Sequence, residues 1–134
     1  KNNSHFFPAL IKKVYDSKLY NKKFIDVWGS GKPKRELLYV DDLADAILFF
    51  MNKKIKEPFL NIGFGKEYSI KWYVNFLIKE LKSKSKIKFD KNKPDGMKNK
   101  LIDSSLAKKY GWKPSTSLKE GFKKTLEDFE SKFN

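Results

Sequence analysis

Trp28-Gly29-Ser30-Gly31-Lys32-Pro33-Lys34-Arg35-Glu36-Leu37-Leu38-Tyr39-Val40-Asp41-Asp42 is the stretch from which the rest of the chain is read. An aromatic residue leads into a Gly-Ser-Gly-Lys-Pro turn. One arginine follows, then an apolar run, then two aspartates at a helix start. Arg35 is the single arginine among 30 lysine and arginine residues. Its planar, permanently charged fork grips phosphate or carboxylate oxygens in pairs, which an ammonium does not do. Two readings stand: Arg35 holds a phosphate, or it makes a structural pair with Glu36 or a nearby aspartate.

Immediately around this turn, Phe24–Trp28 reads as a strand and Glu36–Val40 as a second one. Asp41 or Asp42 then caps a helix whose apolar face is Leu43, Ala46, Ile47 and Phe50. Paired acids can signal a metal or acid–base site. At a helix start they more often satisfy free N–H groups and the dipole, and capping is the reading adopted.

Upstream, Phe7, Leu10, Ile11 and Val14 keep helical spacing, with Pro8 in the first turn and Asn3 or Ser4 as cap. Lys12 and Lys13 flank the apolar stripe. His5, the one histidine of the chain, sits at the helix entrance, where an anion or polar ligand is readily received. The alternative is a purely structural histidine.

Downstream, Pro58–Ile62 reads as a short buried strand closed by Gly63-Phe64-Gly65. Ser69 caps a helix with Ile70, Tyr73, Val74, Leu77 and Leu81 on one face, leaving Trp72 off it. Ile87–Phe89 reads as a strand. Lys93-Pro94-Asp95-Gly96 is turn chemistry; it is either a surface turn or a loop that sets Asp95 against a ligand hydroxyl or amine. A short helix capped by Ser104 closes at Gly111. Ser117-Leu118-Lys119-Glu120 has the capping-box pattern and starts a last helix with Leu118, Phe122, Leu126, Phe129 and Phe133 facing inward.

Strands alternating with helices give an α/β domain. The 134 residues suffice for a single domain with a sizeable core. With 40% hydrophobic residues the chain is not of disordered type, although 34% are charged. The absence of cysteine excludes disulfides, thiolate nucleophiles and cysteine-bound metal, and no metal site is expected. No run of about 18 apolar residues and no signal peptide is visible, so a cytoplasmic protein without a membrane partner is expected. The net charge of +14 suggests a polyanionic partner. The lysines are scattered over nearly every segment, however, which weakens charge as a clue.

Three functions compete on these residues. The first is the substrate-binding half of a nucleotide-sugar enzyme, using Trp28, Arg35, Lys13, Lys100 and Asp95. The second is a nucleic-acid-binding module, which its charge and aromatics allow but no RNP, helix-turn-helix or finger pattern supports. The third is a structural or oligomerisation module without a ligand.

Several motifs occur together: Asn3-Ser4-His5-(x2)-Pro8-Ala9-Leu10, Trp28-Gly29-Ser30-Gly31-x-Pro33-x-Arg35-Glu36, Val40-Asp41-Asp42, Asn61-Ile62-Gly63-x-Gly65 and Lys93-Pro94-Asp95-Gly96, then Lys100-Leu101-x-Asp103. In this order and spacing the chain resembles the GDP-L-fucose synthases. These are extended short-chain dehydrogenase/reductases of the NAD-dependent epimerase/dehydratase family. Val-Asp-Asp and Asn-Ile-Gly are common among extended short-chain dehydrogenases. The other motifs are more specific in combination.

The resemblance implies the C-terminal substrate-binding portion of such an enzyme, residues 1–134 as one domain, with a small mixed sheet and about four to five helices. It implies a full-length homodimer that epimerises GDP-4-keto-6-deoxy-D-mannose at the two carbons flanking the ketone. Hydride from NADPH then reduces that ketone to give GDP-L-fucose. His5 matches an acid/base that lies near the cofactor. Lys13, Trp28, Arg35 and Asp95 match substrate-binding positions, and Asn3 and Lys100 are further candidates near the sugar and phosphates. A histidine suits epimerisation beside a ketone, since it changes protonation near neutral pH.

Phe64 and the Met97-Lys98-Asn99 run depart from the family pattern. The chain also starts Lys1-Asn2-Asn3, without methionine, and carries no Gly-rich dinucleotide loop. The expectation is therefore a piece of a longer protein, inactive as a reductase by itself, with NADPH bound mainly by a preceding Rossmann part. Without that part, apolar helix and strand faces are expected to be exposed.

Overall fold

The computed structural model describes residues 5–133. The element order is α1 (Phe6–Leu19), β1 (Phe24–Trp28), β2 (Lys34–Glu36), α2 (Val40–Met51), β3 (Glu67–Ser69), α3 (Ile70–Leu81), β4 (Lys86–Asp90), α4 (Ser105–Lys109) and α5 (Leu118–Phe133). The fold class is α/β, as expected: the described residues form five helices and two small sheets, β1 parallel to β4 and β2 beside β3. The residues pack as two compact units, Lys1–Arg35 with Tyr68–Asn99, and Glu36–Glu67 with Lys100–Asn134.

The first unit is built on β1, α1, α3 and β4. β1 alternates between exposed and buried positions, so Ile25 and Val27 enter the core while Phe24, Asp26 and Trp28 face outward. Leu10, Ile11 and Val14 of α1 and Tyr73, Val74, Leu77 and Leu81 of α3 are buried. Burying each such large side chain stabilises the fold by about 1.5–3 kcal/mol. The Ser69 hydroxyl caps α3 by accepting the Trp72 N–H at 3.1 Å. His5 is the N-cap of α1 and makes no side-chain cap bond; Asn3 and Ser4, the expected caps, lie outside the described residues.

The second unit holds α2, α4 and α5. Its core is Ala46, Ala107 and Trp112, with Leu38, Phe49, Phe50 and Ile62 packed against them. Phe122 of α5 is buried, and the Ser117 hydroxyl accepts the Glu120 N–H at 3.2 Å. The Phe133 side chain lies outside the described residues.

Four expectations are corrected here. The second strand is Lys34–Glu36, and Val40 already begins α2. The apolar 37–40 run therefore leads into a helix. Residues 58–62 form no strand, and Phe59 is exposed; among the described residues the segment has no strand to pair with. Neither Asp41 nor Asp42 caps α2, whose N-cap is Tyr39. Finally, Leu43 and Ile47 do not face inward. Asp42 and Ala46 are buried, whereas Val40, Leu43, Ile47 and Met51 are exposed, Met51 to 72%.

The last two corrections share a cause. The Asp42 carboxylate accepts the N–H and hydroxyl of both Ser115 and Thr116, at 3.0–3.3 Å. Satisfying a buried carboxylate outweighs burying two more aliphatic side chains, so the helix is turned to put Asp42 inside. Burial by itself would raise the Asp42 pKa. These bonds overcome it and hold the carboxyl below the usual range.

Candidate functional site

The site builds up from β1. After Trp28 the chain reverses through Gly29 and Gly31, with φ of +76° and +73°. Side chains rarely accept such angles, and space forbids them as well. A Cβ at Gly29 would collide with the Asp95 carboxylate, and one at Gly31 with the Phe89 ring. The turn is closed by Asp95, which accepts both the Ser30 N–H and the Ser30 hydroxyl, the latter at 2.7 Å. The Ser30 hydroxyl, then its N–H, holds the Asp95 carboxyl below the usual aspartate range.

A second loop, residues 93–98, runs along this turn. Lys93 places its ammonium 5.4 Å from the Trp28 ring centre. Asp95 holds Ser30. The Met97 carbonyl accepts from Arg35 Nη1 at 2.7 Å, and the Lys98 carbonyl accepts the Lys34 N–H at 2.8 Å. Arg35 Nη1 also donates to the Lys34 carbonyl at 2.6 Å. One end of the guanidinium is thus fixed by carbonyls, and no described carboxylate pairs with it. The structural pair with Glu36 considered from sequence does not form. Glu36 instead accepts the Gly65 N–H and the Ile102 N–H within the second unit.

From α1, the Lys13 ammonium lies 5.8 Å from the Trp28 ring centre and donates to the Asp26 carbonyl at 2.9 Å. Trp28 is 60% exposed despite this company. Next to His5, Phe6 and Phe7 pack on Tyr73, with ring centres 5.6 and 5.7 Å away. The Tyr73 hydroxyl donates to the Arg35 carbonyl at 2.9 Å. The half-buried Phe6 and Phe7 and the buried Tyr73 thus tie the start of α1 to β2, and His5 stands exposed at that start.

Of the residues singled out from sequence, Lys13, Trp28, Arg35 and Asp95 converge on one pair of loops in the first unit. His5 belongs to the same unit. Lys100 lies exposed in the second unit, and Asn3 is outside the described residues. Sequence reasoning missed Lys93, Ser30 and Tyr73. The signal for Lys93 was the parallel pairing of β1 with β4, Trp28 opposite Asp90, which sets the 91–96 turn beside the indole. Among the described residues no three His, Cys, Asp or Glu side chains are grouped to hold a metal ion. No described helix is long and apolar enough to cross a membrane.

The fold is similar to those of nucleotide-sugar reductases and epimerases of known structure. Residues 1–63 match the model of the NAD dependent epimerase/dehydratase family. A GDP-mannoheptose C4 reductase from Campylobacter jejuni, solved with NADP bound, superposes with a TM-score of 0.83 at 29% identity, covering 96% of this chain and 46% of that one. Along nearly its whole length the chain is similar to proteins named GDP-L-fucose synthase. It is 38% identical to GDP-L-fucose synthase from Sinorhizobium fredii, over 97% of this chain and 41% of that protein. It is also 38% identical to GDP-L-colitose synthase from Yersinia pseudotuberculosis, over 100% of this chain and 44% of that protein. The chain thus spans less than half the length of these relatives.

Proposed function

We propose that residues 1–134 act as the GDP-sugar-binding domain of an enzyme of GDP-L-fucose synthase type. Its substrate is GDP-4-keto-6-deoxy-D-mannose, which it epimerises beside the ketone and reduces with NADPH. The observation that carries this reading is the loop pair itself. A guanidinium anchored at one end, two ammonium groups and an exposed indole line one turn, as a diphosphate joined to flat or apolar rings requires.

In this reading Arg35 clamps phosphate oxygens with its unanchored N–H groups, and Lys13 adds charge beside Trp28. Asp95 has two roles: it fixes the Gly29–Gly31 turn, and its remaining lone pairs accept from a ligand hydroxyl. His5 moves protons at the carbons beside the ketone and lies toward the cofactor. Asn3 is a further candidate for the sugar.

NADPH supplies the hydride when bound. The residues of this chain do not make its cradle, because no G-x-G-x-x-G occurs and no described helix opens on a glycine-rich turn. The reduction step is therefore not assigned to these side chains.

The test is titration with GDP-4-keto-6-deoxy-D-mannose or GDP itself. Specific binding is expected, and failure to bind either would sink the reading. A second reading, synthesis of GDP-L-colitose, is favoured by the match of this whole chain to 44% of the Yersinia protein. Product analysis with the full-length protein separates the two.

A further inference from the structure

We propose that Lys93 is a ligand-binding residue, completing with Lys13 and Trp28 a shelf for the phosphate-bearing part of a nucleotide. The inference rests on the GDP-sugar reading and adds to it a residue and a division of labour. β1 turns Trp28 away from the core, and the indole remains mostly in water. An exposed indole offers a flat face on which a ligand ring can lie.

Two ammonium groups approach this ring, Lys13 at 5.8 Å and Lys93 at 5.4 Å. Lys13 is held through its ammonium group and Lys93 through its backbone. Lys13 is tied to the Asp26 carbonyl. The Lys93 N–H donates to the Asp90 carbonyl at 3.2 Å, and the same carbonyl accepts the Gly29 N–H at 2.9 Å. The Asp90 side chain accepts the Asn92 N–H at 3.1 Å. One residue at the end of β4 therefore fixes both the turn bearing Lys93 and the residue after Trp28.

The ring quadrupole attracts each cation, but the two cations repel each other. No described ion pair engages either ammonium group, and Asp95, two positions beyond Lys93, is engaged by Ser30. An oxyanion held by the ammonium groups neutralises their charge, while a flat sugar or base face covers the indole. That combination is found in a nucleoside diphosphate and in neither a free nucleoside nor a free phosphate.

The test is calorimetric titration of the protein and its Lys93→Gln, Lys93→Arg and Lys91→Gln variants with GDP, guanosine and pyrophosphate. Lys91 is an exposed control in the same turn. Lys93→Gln is expected to weaken GDP and pyrophosphate binding about 5- to 10-fold and to leave guanosine unchanged, while Lys93→Arg and Lys91→Gln stay within about twofold of the parent. Unaltered GDP affinity in Lys93→Gln, with weakened affinity in Arg35→Lys, would overturn the role of Lys93 and leave the GDP-sugar reading standing. An equal loss for guanosine would overturn the phosphate assignment. A parent protein that binds no GDP would remove both.

Discussion

Asp42 and Asp95 are both aspartates held below the ordinary carboxylate range, and they do different work. Asp42, in the second unit, is buried and receives the N–H and hydroxyl groups of two successive residues. Asp95, in the first unit, is exposed and is engaged by one serine. The first is a structural lock; the second shapes a turn on an open face lined with cations and an indole. A lowered pKa by itself does not tell these apart. Burial and the number of donors do.

The largest expected effect breaks the lock. Asp42→Ala leaves the donors of Ser115 and Thr116 without their acceptor and is expected to cost about 3 kcal/mol or more, read from urea unfolding midpoints. Asp95→Ala is expected to shift the midpoint little while weakening GDP-sugar binding. Comparable destabilisation by the two substitutions would erase the distinction.

Next comes Gly29→Ala. It forces a side chain into a left-handed backbone and against the Asp95 carboxylate. A loss of about 1–3 kcal/mol together with impaired binding is expected. Unchanged binding would separate the turn from the site.

Acid titration sharpens the comparison further. A carboxylate whose folded pKa is depressed contributes stability that is fully present above its unfolded pKa, about 3.9. That contribution is lost as pH falls through the lower folded value. Stability should therefore decline below about pH 4, and the decline should be shallower in Asp42→Asn than in Asp95→Asn. The reverse order would contradict the assignment of the lock to Asp42.

The smallest expected effect concerns the exposed Val40, Leu43, Ile47 and Met51 face of α2. The chain is expected to associate in solution, with light scattering giving a mass above its 15.8 kDa and Ile47→Lys reducing it. A clean monomer for the parent protein would count against exposure of that face.

Much of this comparison was legible in the sequence, and the illegible part has physical reasons. Helices α1, α3 and α5 follow from the spacing of Leu10, Ile11 and Val14, of Tyr73, Val74, Leu77 and Leu81, and of Phe122 after Ser117. Their apolar faces are their main source of stability, so periodicity finds them. The α2 face was misjudged because Asp42 reads as a helix start until Ser115 and Thr116, 73 and 74 positions on, are known to meet it. The Glu36–Val40 run reads as a strand because apolar content does not report pairing; the ladder falls on Lys34–Glu36. Asp95 was legible as a candidate from its turn, but its bonds to Ser30, 65 positions away, were not. Trp28 and Arg35 stood out by residue type. Lys93, one lysine among 29, is distinguished only by the β1–β4 pairing that brings it to the indole.

The central claim is that the open face of the first unit binds a GDP-sugar through Arg35. Its most direct test is the affinity of the parent protein and of Arg35→Lys for GDP, measured by titration at one ionic strength. The account predicts binding by the parent and roughly tenfold weaker binding by Arg35→Lys, because charge is kept and the two-pronged grip is lost. Equal affinity in the two proteins would contradict it.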